Sequence, residues 1–118
     1  MLLEARTRIR RYTPEEAFAA DVLLVDSRSS DERRREGVIP GSAHVPLSVL
    51  EWRADQTSEH RNTELADRVL VIVCAHGYSS SLAADRLVSL GVDAGDLDGG
   101  FEAWRDAGLP IVDAPDAS

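Results

Sequence analysis

Two short stretches of this chain are apolar almost without interruption, Val22-Leu23-Leu24-Val25 and Val69-Leu70-Val71-Ile72-Val73, and both are rich in β-branched residues. A strand with one wet face alternates apolar and polar positions, so an unbroken run marks a strand buried on both faces, as in a parallel sheet. These runs predict strands over 22–26 and 69–73. Downstream of the second, Leu82, Ala83, Leu87 and Leu90 recur at helical spacing, and Gly91 follows as a C-cap. Near the N-terminus Thr13, Pro14 and Glu16 form a capping-box signature with proline at the first helical position, which predicts a helix over 14–20.

The remaining elements are fainter. Arg8–Tyr12 reads as a short edge strand in which Ile9 is the one strongly apolar aliphatic residue, and a polar helical turn capped by Ser30 stops at Gly37. Pro40-Gly41 and Pro46 impose turns around a brief strand at Ala43–Val45, followed by a helix over Ser48–Ala54. Residues 55–62 are polar and read as a surface loop leading to a helical turn that ends at Ala66. A last strand at Ala94–Leu97 runs through Gly99-Gly100 into a helix over Phe101–Ala107, which Gly108 and Pro110 end.

Strands alternating with helices predict an α/β domain with a parallel sheet covered on both faces. A chain of 118 residues fits one such domain, over 1–112, with a small polar tail at 113–118 expected to fray. In these sheets ligands bind beyond the carboxyl ends of the strands. Cys74 stands there, directly after the second apolar run.

Composition narrows the function. With 43% apolar and 29% charged residues the chain has enough apolar surface to fold, and its net charge of −8 opposes a phosphate backbone, so no nucleic acid is expected. The one basic cluster, Arg33-Arg34-Arg35, is flanked by Asp31, Glu32 and Glu36 and reads as a solvated helix face. No apolar run approaches the roughly 20 residues of a membrane span, and no N-terminal apolar block ends in a cleavage site, which together predict a cytoplasmic protein.

Cys74 is the only cysteine, so it is core filler, metal ligand or nucleophile. A zinc site drawing on His44, His60 and His76 would need four placed ligands, and these histidines have no helical pair spacing. The segment Cys74-Ala75-His76-Gly77-Tyr78-Ser79-Ser80 instead suits a nucleophile: a buried strand delivers the sulfur, Gly77 permits a tight turn, and serines open the next helix. Backbone N–H groups at a helix start lower a thiol pKa and hold an anion. Asp26, at the end of the neighbouring strand, is expected to accept N–H bonds from this loop and fix its shape. Tyr78 at the rim is a plausible wall for an acceptor, whereas Phe101 and Trp104 read as core.

Three separated segments resemble the rhodanese-like domains, most closely the single-domain sulfurtransferases: Leu24-Val25-Asp26-Ser27-Arg28, Gly37-Val38-Ile39-Pro40-Gly41-Ser42, and the Cys74 loop with Gly99-Gly100-Phe101-Glu102-Ala103-Trp104. The likeness runs from about Tyr12 to Pro110. It implies a three-layer α/β/α fold with a central five-stranded parallel sheet, and a Cys74 persulfide cradled by the backbone amides of residues 74–79. It further implies a small anionic donor such as thiosulfate, cyanide or a thiol (including a protein thiol) as acceptor, and no cofactor. The chain is expected to be a monomer or homodimer. Val38 stands where the family often has histidine, and the loop contains no Lys or Arg, which predicts weak use of thiosulfate unless His76, Arg28 or Arg53 supplies charge at the mouth. Two rivals remain. A Cys-dependent phosphatase or arsenate reductase needs arginine where this chain has Ser80. A non-catalytic rhodanese-fold module that binds a protein partner usually lacks the cysteine.

Overall fold

The computed structural model describes residues 2–115. Eleven main elements follow in order: α1 (Leu2–Thr7), β1 (Arg10–Tyr12), α2 (Pro14–Ala19), β2 (Leu23–Asp26), α3 (Ser30–Glu36), β3 (Ala43–His44), α4 (Leu50–Ala54), β4 (Leu70–Val73), α5 (Ser79–Ser89), β5 (Ala94–Leu97) and α6 (Gly100–Asp106). The strands form one sheet in the order β1-β5-β4-β2-β3, with every pair parallel. The five strands therefore end on one edge, and β4 lies at the centre of the sheet.

Period-2 alternation divides the core between the two faces of the sheet. Leu70 and Ile72 of β4 join Leu23 and Val25 of β2 against Leu50, Ala54, Ala83, Ala84 and Leu87 from α4 and α5. Val71 and Val73 face the other way, with Tyr12 and Leu97, onto Ala17 of α2 and Phe101 and Trp104 of α6. This is the expected three-layer arrangement, and β4 is buried along its whole length because both layers cover it. Phe101 and Trp104 are core residues, each 1% exposed, as the sequence predicts. The indole N–H of Trp104 donates to the Pro110 carbonyl, so burial leaves it satisfied.

Several elements differ from expectation in informative ways. The cap of α3 is Ser29, whose hydroxyl accepts from Glu32 N–H while the Glu32 carboxylate accepts from Ser29 N–H; Ser30 is already helical. Residues 47–49 form a 3-10 turn before α4, and Leu90 at the end of α5 is turned outward. Arg33 is buried rather than solvated, because its guanidinium reaches the Asp26 carboxylate. Helix α1 carries no cap signal in the sequence; it packs on α5. Val112, the last residue of the expected domain, makes an antiparallel bridge to Val38, and residues 116–118 of the expected tail lie outside the described residues. No described helix is long and apolar enough to cross a membrane.

Candidate active site

Strand β4 delivers Cys74 to the carboxyl edge of the sheet, where its side chain is almost enclosed, at 7% exposure. Two backbone N–H groups donate to its sulfur, Gly77 at 3.1 Å and Ser80 at 3.4 Å. The loop carbonyls are taken up elsewhere. The first turn of α6 captures two of them, with Phe101 N–H on Cys74 O at 2.8 Å and Glu102 N–H on Ala75 O at 3.1 Å. A carbonyl dipole facing the sulfur would oppose negative charge there, so tying these oxygens off is as important as aiming the N–H groups. Burial alone pushes the Cys74 thiol up, but the hydroxyls of Ser80 and Ser79 and the N–H groups of Ser80 and Gly77 outweigh it, leaving the pKa below the ordinary thiol value.

Glycines permit this close assembly. Gly77 has φ +87°, and a Cβ there would stand 2.8 Å from Gly99 N; a Cβ on Gly100 would stand 2.7 Å from Gly77 N. The Gly99-Gly100 pair thus lets the start of α6 press against the cysteine loop.

The other predicted site residues are distributed unevenly. Ala75 is half-buried, Tyr78 is 63% exposed on the rim, and Ser79 begins α5. Ser80 is fully buried, with its hydroxyl on Asp96 at 3.0 Å. The His76 ring lies on the rim with Nδ1 2.6 Å from a Glu102 oxygen. Arg53 is exposed on α4, where it donates to the His60 carbonyl.

Arg28 and Asp26 depart from their expected places. Arg28 is 3% exposed: Nε and Nη2 both bond Asp26, Nη2 also bonds Gly37 O, and the guanidinium lies 3.7 Å from the centroid of the Phe101 ring. It is committed to the core and does not stand at the mouth. Asp26 accepts from Arg28 and Arg33 and bonds no N–H of the cysteine loop. Its carboxylate is saturated by two guanidiniums that lie nearer than the loop.

The buried carboxylate beneath the loop is Asp96 of β5. It accepts from Ser80 and Ser81 hydroxyls and from Nε and Nη2 of Arg11. Arg11 sits directly across from it in the β1–β5 register. Sequence reasoning missed Asp96, Arg11 and Arg6. The available signal was Asp96 itself, a charge inside a strand expected to be buried, which demands partners.

The rhodanese-like domain model matches residues 14–107. The chain belongs to the rhodanese-like family. A protein of Pseudomonas fluorescens named thiosulfate sulfurtransferase GlpE is 60% identical over 103 residues, covering 84% of this chain and 87% of that protein. A Pseudomonas syringae protein of the same name is 40% identical over 103 residues, covering 84% of this chain and 90% of that protein. Among solved structures, a Rhodopseudomonas palustris protein described as of unknown function and a possible tyrosine phosphatase superposes with a TM-score of 0.87 at 37% identity. It covers 94% of this chain and 90% of its own. This rhodanese-like chain thus has relatives of its own length.

Proposed function

We propose that this chain is a sulfurtransferase in which Cys74 accepts a sulfane sulfur, holds it as a persulfide and passes it on. Sulfurtransferase chemistry as such rests on the family and on the names its relatives carry. The persulfide route rests on one observation: the Gly77 and Ser80 N–H groups converge on the buried Cys74 sulfur. The Cys74 thiolate attacks the outer sulfur of an anionic donor such as thiosulfate; a new S–S bond forms, the old one breaks, and sulfite leaves with the bonding pair. The terminal sulfur of the persulfide then carries the charge, inside a loop whose N–H groups point toward the sulfur. Cyanide or a thiolate, free or on a partner protein, attacks that terminal sulfur and returns Cys74 to its starting state. His76 and Tyr78 line the rim where donor and acceptor arrive, whereas Arg53 lines a separate recess with His44, Arg61 and Thr63 and contacts no residue of the loop. The cycle uses no cofactor and requires a reduced thiol, which suits the cytoplasm.

The phosphatase reading needs an arginine six residues beyond the cysteine to grip an oxyanion. That residue is Ser80, whose side chain is buried on Asp96. Mass spectrometry after incubation with thiosulfate, or with a persulfide donor, decides between the readings. A mass gain of one sulfur on Cys74, discharged by cyanide or a thiol, is expected. No gain from either donor would leave a protein-binding module, and phosphate-ester turnover lost in Cys74→Ser would favour the phosphatase.

A further inference from the structure

The loop contains no lysine or arginine, yet two arginines from distant sequence reach it from below. Arg6 of α1 donates through Nη2 to the Gly77 carbonyl at 3.0 Å and through Nε to the Ser81 hydroxyl at 3.1 Å. Arg11 of β1 donates to the same carbonyl at 3.3 Å while its Nε and Nη2 grip Asp96. Both arginines are half-buried, and the Gly77 carbonyl is the point where they meet.

That carbonyl matters because glycine is the residue whose peptide units rotate most freely. Gly77 supplies one of the two N–H donors to the sulfur, and its carbonyl belongs to the following peptide unit, which leads into α5. If this unit turned over, a carbonyl dipole would face the cup. Two guanidiniums on the oxygen oppose that rotation with charge-assisted bonds. There is also a charge problem to solve. Asp96 is fully buried beneath Ser80, so its carboxylate repels a thiolate, and Arg11 is the cation that cancels it. Arg11 also lies close enough to the Cys74 thiolate to feel its charge directly.

We propose that Arg11 and Arg6 are positioning residues for sulfur transfer: together they lock the Gly77 carbonyl away from Cys74, and Arg11 supplies from beneath the positive charge that the loop lacks. This gives helix α1 and edge strand β1 a task beyond completing the sheet. It also explains how a loop without cations can serve an anionic donor. The inference rests on Cys74 acting as the sulfur nucleophile, but its test reads the thiol itself.

The experiment measures the rate of Cys74 alkylation by iodoacetamide as a function of pH, with circular dichroism as the check on folding, for wild type, Arg11→Met, Arg11→Lys and Arg6→Met. Removing the Arg11 charge raises the thiol pKa, so the midpoint of the profile moves up by about one pH unit and the rate at neutral pH falls about tenfold, while rates converge at high pH. Arg11→Lys keeps the charge and recovers the neutral-pH rate to within about threefold of wild type. Arg6→Met, with Arg11 in place, lowers it about threefold and carries the test if Arg11→Met does not fold. A folded Arg11→Met with an unmoved midpoint would overturn the proposal, whether or not its plateau rate fell, since a purely structural loss lowers the plateau alone. So would Arg11→Lys behaving like Arg11→Met. If wild type alkylates with a lowered midpoint yet takes up no sulfur from thiosulfate or a persulfide donor, the persulfide reading fails while the role of Arg11 in setting the thiol stands.

Discussion

At the carboxyl ends of the adjacent strands β2 and β4, Asp26 and Cys74 are buried almost equally, at 1% and 7% exposure, and their surroundings make opposite use of that burial. Asp26 is enclosed by side chains of full opposite charge. Arg28 binds it through two nitrogens, Arg33 through a third, and Phe101 closes over the Arg28 guanidinium. Cys74 is enclosed by backbone N–H groups and hydroxyls, which carry partial charge and belong to a loop whose carbonyls are tied to α6. A fixed carboxylate matched by fixed cations gives a closed unit in which the bonds to Asp26 come from Arg28 and Arg33, with Arg28 also tied to the Gly37 carbonyl. A sulfur whose charge moves outward by one atom when the persulfide forms is held instead by dipoles around it, with the nearest guanidinium, Arg11, kept back on Asp96. Neutral dipoles stabilise thiolate and persulfide alike. The difference teaches that burial of a polar atom marks function only where its partners leave it a second state.

The sharpest way to break this comparison is to remove each polar group in turn. Cys74→Ser should abolish sulfur transfer while changing stability by less than about 1 kcal/mol, since the substitution is nearly isosteric. A soluble, folded variant that still transfers sulfur would contradict it. Asp26→Ala should do the converse, costing about 3–5 kcal/mol because two buried guanidiniums lose their anion. Denaturant unfolding measures this, and a loss under about 1 kcal/mol would show that Arg28 and Arg33 find other partners.

Gly77→Ala sharpens the comparison at the loop itself. A Cβ at φ +87° and 2.8 Å from Gly99 N strains the turn by about 1–2 kcal/mol and displaces one of the two donors to sulfur. Alkylation of Cys74 at neutral pH should slow several-fold, whereas unchanged reactivity would show that the Ser80 N–H suffices. Thr13→Ala is the small-effect control. It removes the hydroxyl that accepts Glu16 N–H, which costs about 1 kcal/mol and leaves Cys74 reactivity untouched. The Glu16 carboxyl is held below its ordinary range by the Thr13 N–H and hydroxyl. Its contribution is therefore present above the unfolded carboxyl pKa and is lost as pH falls through the lowered folded value. The stability gap between wild type and Thr13→Ala should narrow in acid.

The unbroken apolar run that becomes β4, the glycine and serines after Cys74, and the Gly99-Gly100 pair were all legible in the sequence, because each signal is local. So were the sheet class and the capping box of α2. What escaped notice depends on contacts between residues far apart in the chain. Arg6 meets Gly77 across 71 positions and Arg11 meets Asp96 across 85, and neither α1 nor β1 has enough apolar content to announce its place. Arg33 looked solvated because its neighbours in sequence are charged, but its partner Asp26 lies seven residues earlier, at the end of a buried strand. For the same reason the sequence points to Asp26 as the carboxylate beside the loop, whereas the one that bonds the Ser80 and Ser81 hydroxyls is Asp96. Proximity to the strand end is visible in sequence, and which carboxylate the arginines claim is not.

Titration of wild-type Cys74 by the ultraviolet absorbance of its thiolate, with Cys74→Ser as the blank, tests the central claim most directly. The loop dipoles predict a midpoint below the ordinary thiol value, so at a given pH the thiolate fraction exceeds that of an ordinary cysteine and is lost as pH falls through the lowered midpoint. A midpoint at or above the ordinary value would mean that burial wins over the Gly77 and Ser80 donors, and the account of this site would be wrong.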